Sequence, residues 1–434
     1  MVRIWVFFAL LVSPFVACNE RQPKNLLVLL ENVYLKETHS TFLNMLTNRG
    51  YNLTTKLADD PTLSLKYLGE YVYSGLVVLA PSVSEFGGSI NVNQIINFVD
   101  DGGNLVVVAG PGVGESIREL GSDCGVEFDE ENTFVIDHFN YDKRDDGLHS
   151  LVNVPVNNLI KNSVMTGGEV DAPFLYRGVG ISADPTNPLL IGVLHGSKTS
   201  YSYNPHKPVT DYPNTVGTNT QLITALQARN NARALFIGSL DFLSNSFFES
   251  VVETESKKSV VSGNRKLTDN LLRWVLGERG QLRYTYVKHH RLGETDPPSQ
   301  YTIMDDVVYT IKIETKDDNG KWIPFNADDV QLEFVRIDPF IRKNMKHQDG
   351  EYKLVLKLPD VYGVFKFVVD YYRVGYTHLL SVIQVPVRPF THTQYERFIV
   401  AAYPYYTSAI SMMVGLILFS FVFLYYKDDK EKGE

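Results

Sequence analysis

The sequence predicts three parts in order: an α/β domain on a parallel sheet, a β-sandwich, and one C-terminal transmembrane helix. Three observations predict it. Apolar strand runs alternate with helical stretches through the first half. After about Leu282 the helical stretches stop and short alternating strands take over. Near the end, residues 398–426 carry no charge.

The N-terminus comes first. Met1-Val2-Arg3 carries one positive charge, residues 4–12 are apolar, Pro14 breaks the run, and Val16-Ala17-Cys18 offers small or modest residues for a peptidase. That order predicts a secretory signal peptide over 1–18. The α/β domain is then expected over 19–281. Asn25-Leu26-Leu27-Val28-Leu29-Leu30 is a continuous apolar strand of the kind buried on both faces. Further strands are predicted at 51–57, 75–80, 105–109 and 234–237, and helices at 38–48, 91–101, 113–120 and 266–276. In the last helix Leu267, Leu271, Leu272, Val275 and Leu276 share one face. Strands alternating with helices imply a parallel sheet.

The β-sandwich is expected over 282–398, with strands at 301–316, 330–337, 352–358, 363–372 and 379–387. Asp318-Asn319-Gly320 and Asp349-Gly350 mark turns, and the stretch around Pro297-Pro298 reads as a linker. The transmembrane helix is placed at 405–425, about 20 residues or roughly 30 Å, the thickness of the hydrocarbon core. Tyr403, Tyr405 and Tyr406 before it, and Tyr425 and Tyr426 after it, suit the two interfaces. Lys427, Lys430 and Lys432 make 426–434 a cytoplasmic tail, which places the bulk of the chain on the luminal side.

Composition narrows the function. With 434 residues, 44% hydrophobic and 21% charged, the chain is long enough for two or three ordinary cores. A net charge of −9 argues against nucleic-acid binding. Of the two cysteines, Cys18 sits at the signal boundary and Cys124 in the body, so no intramolecular disulfide is expected once the signal is removed.

Motifs for chemistry are missing. Gly110-Pro111-Gly112-Val113-Gly114 follows a strand and opens a helix, the place of a phosphate turn. Its sixth position is Glu115, however, and no Lys-Ser/Thr pair follows. The chain contains neither Gly-x-Ser-x-Gly nor His-Glu-x-x-His, and no Asp-x-Asp. An amidotransferase-like fold would set its cysteine in the turn after the fourth strand, where only Gly, Pro and Val stand. The ten histidines are scattered, and His289-His290 face opposite ways on a strand. His39, Asp59, Asp60, Cys124, Glu127 and Asp129 are the best polar candidates left. No catalytic, cofactor-binding or metal-binding residue is assigned, and no cofactor is expected.

Other features concern processing and assembly. Asn52-Leu53-Thr54 is the only sequon, so Asn52 is a candidate glycosylation site. Ser408, Ser411 and Gly415 share a helix face, and small residues there let membrane helices approach closely.

Several segments resemble one family. They are Glu37-Thr38-His39-Ser40, Asp59-Asp60-Pro61, Phe86-Gly87-Gly88, Leu226 through Arg233, Val335-Arg336-Ile337-Asp338-Pro339-Phe340, Pro359 through Phe365, Gly375-Tyr376-Thr377-His378, and His392 through Phe398 leading to Tyr403-Pro404-Tyr405-Tyr406. In this order they are similar to the 48 kDa subunits of the oligosaccharyltransferase. The resemblance implies an endoplasmic reticulum membrane protein within a complex that moves a preassembled oligosaccharide from dolichyl pyrophosphate to Asn in Asn-x-Ser/Thr. It implies that chemistry belongs to a separate multi-spanning catalytic subunit, with the ribophorins and the defender-against-cell-death subunit as further partners. Lys430 and Lys432, five and three residues from the end, resemble a dilysine retrieval signal. Two rival readings are an amidotransferase-like enzyme and a free-standing luminal binding protein or receptor on a degenerate scaffold of that kind.

Overall fold

A computed structural model of the chain describes residues 24–168, 170–253, 259–318, 320–396 and 399–427. The expected signal peptide with Cys18, and the tail lysines Lys430 and Lys432, lie outside the described residues.

The first body is built on a nine-stranded sheet. Its strands are β1 (Asn25–Leu30), β2 (Asn52–Leu57), β3 (Gly75–Leu79), β4 (Asn104–Val108), β5 (Val126–Phe128), β6 (Ile181–Ala183), β7 (Leu190–His195), β8 (Gln221–Gln227) and β9 (Arg233–Ile237). They lie in the order β2-β1-β3-β4-β9-β8-β6-β5, with β7 also paired to β8. The first five are mutually parallel. Successive strand residues point to opposite faces, so an unbroken apolar run feeds two cores at once. Leu26, Val28 and Leu30 enter one cluster and Leu27 and Leu29 the other. Helices α1 (Ser40–Asn48) and α4 (Asn264–Val275) cover the first face with Phe42, Leu46, Leu267 and Leu271. Helices α2 (Val92–Asp100) and α3 (Glu115–Asp123) cover the second with Ile95, Phe98, Ile117 and Leu120. The Asn91 side chain caps α2 by accepting from Gln94 N at 2.8 Å.

The sheet is mixed where the alternation predicts a parallel one. β8 runs antiparallel to β9, β7 and β6, and β6 antiparallel to β5. A parallel neighbour needs a crossover of a dozen or more residues, usually a helix. Among the described residues between β5 and β9, the longest helix is the four-residue turn Ser163–Thr166. The chain therefore returns by hairpins and loops.

The second body has two five-stranded sheets. One holds β10 (Leu282–Arg291), β12 (Asp306–Lys316), β13 (Trp322–Pro324), β16 (Lys346–Gln348) and β17 (Glu351–Lys357); the other holds β11 (Tyr301–Thr302), β14 (Gln331–Val335), β15 (Pro339–Asn344), β18 (Gly363–Tyr371) and β19 (Leu379–Arg388). Tyr309 and Tyr352 of the first meet Phe334, Phe365 and Phe367 of the second in one apolar cluster. Alternation decides which side faces in: Phe365, Phe367 and Val369 are buried while Val364, Lys366 and Asp370 are exposed. The expected strand over 301–316 divides at Met304, whose φ of 64° turns the chain from one sheet to the other. Four strands of this body, β10, β13, β15 and β16, lie outside the predicted set, and β13 and β16 are only three residues long, too short to show a period. β15 is an almost wholly exposed edge, and the register of β10 shifts between Tyr284 and Tyr286, which breaks the period of two.

The last element, α5 (Tyr403–Tyr425), is exposed along its whole length. Val400–Tyr425 is long and apolar enough to cross a membrane.

Candidate functional site

Strand order locates the first place to look. The order reverses between β1 and β3, and open α/β sheets bind ligands outside the carboxyl ends of their strands at such a switch point. At this mouth Ser82 Oγ donates to Glu31 Oε1 at 2.7 Å, so the two polar groups satisfy each other. The Gly110–Gly114 turn after β4 is tied to its neighbours by two backbone hydrogen bonds, while Gly112 stays exposed. Gly114 N donates to Pro81 O at 2.7 Å, and Pro111 O accepts from Asn132 N at 2.6 Å. A Cβ on Gly114 would lie 2.1 Å from Val83 O, so this glycine serves loop packing. Glu115 then fills the first turn of α3 with negative charge.

The polar candidates are dispersed. His39 is buried, with Nδ1 2.9 Å from Thr38 Oγ1 and Nε2 3.1 Å from Leu240 O. Burial lowers its pKa, against a backbone hydrogen bond and the charge of Asp241. Asn245 ties this segment to the later chain: its Oδ1 accepts from Thr41 N at 3.0 Å and its Nδ2 donates to Glu37 O at 2.9 Å. Asp60 accepts from Thr62 N and Oγ1, both at 2.7 Å, an ordinary turn. The Asp59 backbone packs on Gly87, where a Cβ would lie 2.5 Å from Asp59 O. Cys124 is free and buried, and burial pushes its thiol up to about 12. Glu127 is exposed on β5, while Asp129 is buried and accepts from Glu130 N at 2.9 Å. Among the described residues no group of three or more His, Cys, Asp and Glu could hold a metal ion.

Sequence spacing misses one cluster. His138 Nδ1 lies 2.6 Å from His149 Nδ1, His138 Nε2 lies 2.9 Å from Tyr201 OH, and Tyr141 stacks on His149 at 4.1 Å. These residues come from three loops and strands with no periodic relation, so only the fold gathers them. Next to them, Asn140, Tyr141, Asp142 and Arg144 line a cavity of about 710 Å³. Burial works to raise the Asp142 carboxyl, but its hydrogen bonds to Arg144 prevail and hold it below the usual carboxylate range.

A polar arrangement around Arg233 is structural and joins the two bodies. Arg233, at the start of β9, is buried. Its Nη1 donates to Trp274 O at 2.6 Å and Arg279 O at 2.7 Å, and its Nη2 to Gly280 O at 2.9 Å and Gly375 O at 3.3 Å. Trp274 O belongs to the last turn of α4, where free carbonyls gather partial negative charge. Burial presses the guanidinium's pKa down, yet arginine stays charged in proteins, so the carbonyls carry that charge. Around it Gln227 Nε2 donates to Tyr376 O at 2.6 Å, Asn231 Oδ1 accepts from His378 N at 2.8 Å, and Thr377 Oγ1 accepts from Leu282 N at 2.8 Å. The stretches 226–233 and 375–378, far apart in sequence, thus meet at one junction.

The remaining sequence-derived positions are placed as follows. Asn52 is exposed at the start of β2, its Nδ2 3.2 Å from Asn25 Oδ1. On α5, Ser408 Oγ donates to Tyr405 O at 3.0 Å and Ser411 Oγ to Ser408 O at 2.9 Å. No atom outside its own helix turn lies within 4 Å of a Cβ built on Gly415. The face of Ser408, Ser411 and Gly415 is open.

Comparison with known proteins agrees along the chain. The OST48 N-terminal domain family matches residues 17–278 and the OST48 middle domain family residues 289–427. A Danio rerio protein named dolichyl-diphosphooligosaccharide–protein glycosyltransferase 48 kDa subunit is 54% identical, covering 94% of this chain and 93% of its own length. Proteins of the same name from Drosophila melanogaster and Caenorhabditis elegans are 52% and 47% identical, covering 93% and 98% of this chain and 92% and 96% of their own lengths. With both families matched in order and such identity over nearly full length, this chain belongs to the OST48 family of 48 kDa oligosaccharyltransferase subunits.

Proposed function

We propose that the chain is an accessory, non-catalytic subunit of the oligosaccharyltransferase complex, needed for its assembly and stability. The complex transfers a preassembled oligosaccharide from dolichyl pyrophosphate to Asn of Asn-x-Ser/Thr sequons. Its relatives' shared name supports membership. The observation that carries the accessory role is the switch-point mouth, where Glu31 and Ser82 satisfy each other and Gly114 is packed against the Val83 backbone. In this reading 19–281 is a luminal domain on an amidotransferase-like scaffold and 282–398 a luminal β-sandwich. Residues 405–425 span the endoplasmic reticulum membrane once, and 426–434 face the cytoplasm. The multi-spanning catalytic subunit, the ribophorins and the defender-against-cell-death subunit are its partners, and it uses no cofactor.

The test is to purify complexes carrying alanine at His39, Asp59, Asp60, Cys124, Glu127 or Asp129 and to measure transfer per mole of intact catalytic subunit. Structural residues lower the amount of complex and leave turnover unchanged. A variant that assembles fully yet loses about a hundredfold in turnover, the scale of a general acid or base, overturns the accessory role. Orientation is tested by protease on sealed microsomes, which should remove only the residues after Tyr426. For the tail, Lys430→Ser with Lys432→Ser in a span-and-tail reporter should release it from the endoplasmic reticulum; retention removes the retrieval assignment.

A further inference from the structure

The two-sheet body has two ends that face different things. At one end Thr377 N donates to Gly280 O at 2.9 Å, and loop 373–378 docks on the first body. At the opposite end the chain leaves β19 at Arg388 and reaches α5 at Tyr403. The connection of about fourteen residues can extend at most ~50 Å.

Strand register gathers four loop tips at this second end. Thr302 of β11 lies opposite Arg388, so Met304 follows it there. Asp306 lies opposite Lys357, and Leu358 N donates to Asp305 O at 2.9 Å, which brings the 358–362 turn alongside. Arg291 lies opposite Val307, which places Leu292 at the same level. Arg336 Nη1 donates to Tyr362 O at 3.2 Å and fixes the β14–β15 hairpin beside that turn. Each tip ends in an apolar side chain held out in solvent: Ile337 is 84% exposed, Tyr362 64%, Leu292 60% and Met304 41%.

Single exposed apolar residues need no explanation, but four tips at one end of one domain do. They stand on separate turns instead of forming a flat or concave patch, which suits insertion into a soft surface. Isoleucine, leucine and methionine beside a tyrosine with a free polar tip match the composition of membrane interfaces. The nearby charges are mixed: Arg336 and Arg388 stand with Asp338 and Asp360, and Arg291 pairs with Asp305 at 2.9 Å. Such a surface has no reason to prefer anionic lipid.

We propose that this end of the two-sheet body rests on the bilayer, with Leu292, Met304, Ile337 and Tyr362 entering the headgroup region of zwitterionic phospholipid. The inference rests on the reading that α5 spans the same bilayer. The span holds the tips within reach of the surface, and the tips fix how the body stands upon it.

The experiment uses the full chain in phosphatidylcholine nanodiscs, in a Cys124→Ala background. Spin labels are attached at Ile337→Cys or Tyr362→Cys, with Val414→Cys reporting the span and Tyr212→Cys a distant exposed site. Collision with oxygen, which partitions into lipid, is compared with collision with a water-soluble nickel chelate. Labels at 337 and 362 should favour oxygen at shallow depth, 414 oxygen at greater depth, and 212 nickel. Nickel preference at 337 and 362 with oxygen preference at 414 overturns the lipid contact while leaving the span intact. Nickel preference at 414 overturns the span, and the inference with it. Shielding of 337 and 362 from both reagents in the assembled complex assigns the tips to a protein partner and equally overturns it.

Discussion

The Arg233 guanidinium lies 4.7 Å from the ring of Trp274, and both side chains donate to the carbonyl of Gly375. One main-chain oxygen of the second body is therefore held by two side chains of the first. Removing the guanidinium takes a donor from four carbonyls: Trp274 O, Gly280 O and Gly375 O keep Gly277 N, Thr377 N and Trp274 Nε1, while Arg279 O is left without a donor among the described residues, at a cost of about 1–3 kcal/mol. Arg233→Met is expected to destabilise the protein by about 1–3 kcal/mol, read by chemical denaturation of the purified protein. Arg233→Lys should recover little, because one ammonium cannot reproduce the planar fork. A variant with unchanged unfolding midpoint would show that the junction does not depend on this residue.

His39 gives stability a pH dependence. Burial lowers its folded pKa below the ordinary histidine value, so the unfolded chain binds more protons as the medium turns acidic. The contribution is whole above about 6.5 and fades as pH falls through the lower folded value. His289, lowered by burial as well, acts in the same direction. Asp241, raised by burial, acts in the opposite one. Melting temperature measured from pH 7.5 to 5.5 should fall, and the fall should be smaller in His39→Gln. Parallel curves for the two proteins would contradict the assignment.

Cys124 should be chemically silent. With its thiol pushed up to about 12 and its side chain buried, the thiolate is scarce at neutral pH. Iodoacetamide should label it only after denaturation, and Cys124→Ala should cost roughly 1 kcal/mol or less, the scale of one small buried group. Rapid labelling of the folded chain would refute this.

Asn52 stands exposed on β2, the outermost strand of the sheet, which pairs with β1. Its side-chain bond to Asn25 lies on the exposed surface and does not bar the amide from an enzyme. An endoglycosidase should increase the mobility of the mature protein, and Asn52→Gln should abolish that shift. Equal mobility with and without enzyme would show the site to be bare.

The open face of α5 invites another helix. Gly415→Leu should lower recovery of partner subunits after mild detergent extraction, since close approach of membrane helices depends on small residues. Undiminished co-purification would assign that face to lipid.

Local pattern alone determined a good deal of this protein. The apolar runs of β1, β3 and β4 show in composition because strands buried on both faces admit no polar residue. The alternation in β17 to β19 shows because one face meets Phe334 and its neighbours while the other meets solvent. The charge-free stretch of α5 shows because the hydrocarbon core excludes charge whatever the fold. Tertiary structure decided the rest. Short strands β5 and β6 leave too few residues for a period, and their antiparallel pairing depends on where loops return. The His138–His149–Tyr201 cluster, the Arg233 junction and the shared level of Ile337, Tyr362, Leu292 and Met304 each join residues distant along the chain. Spacing records only neighbours on one helix or strand; contacts between elements arise from sheet order and register, which the whole chain settles together.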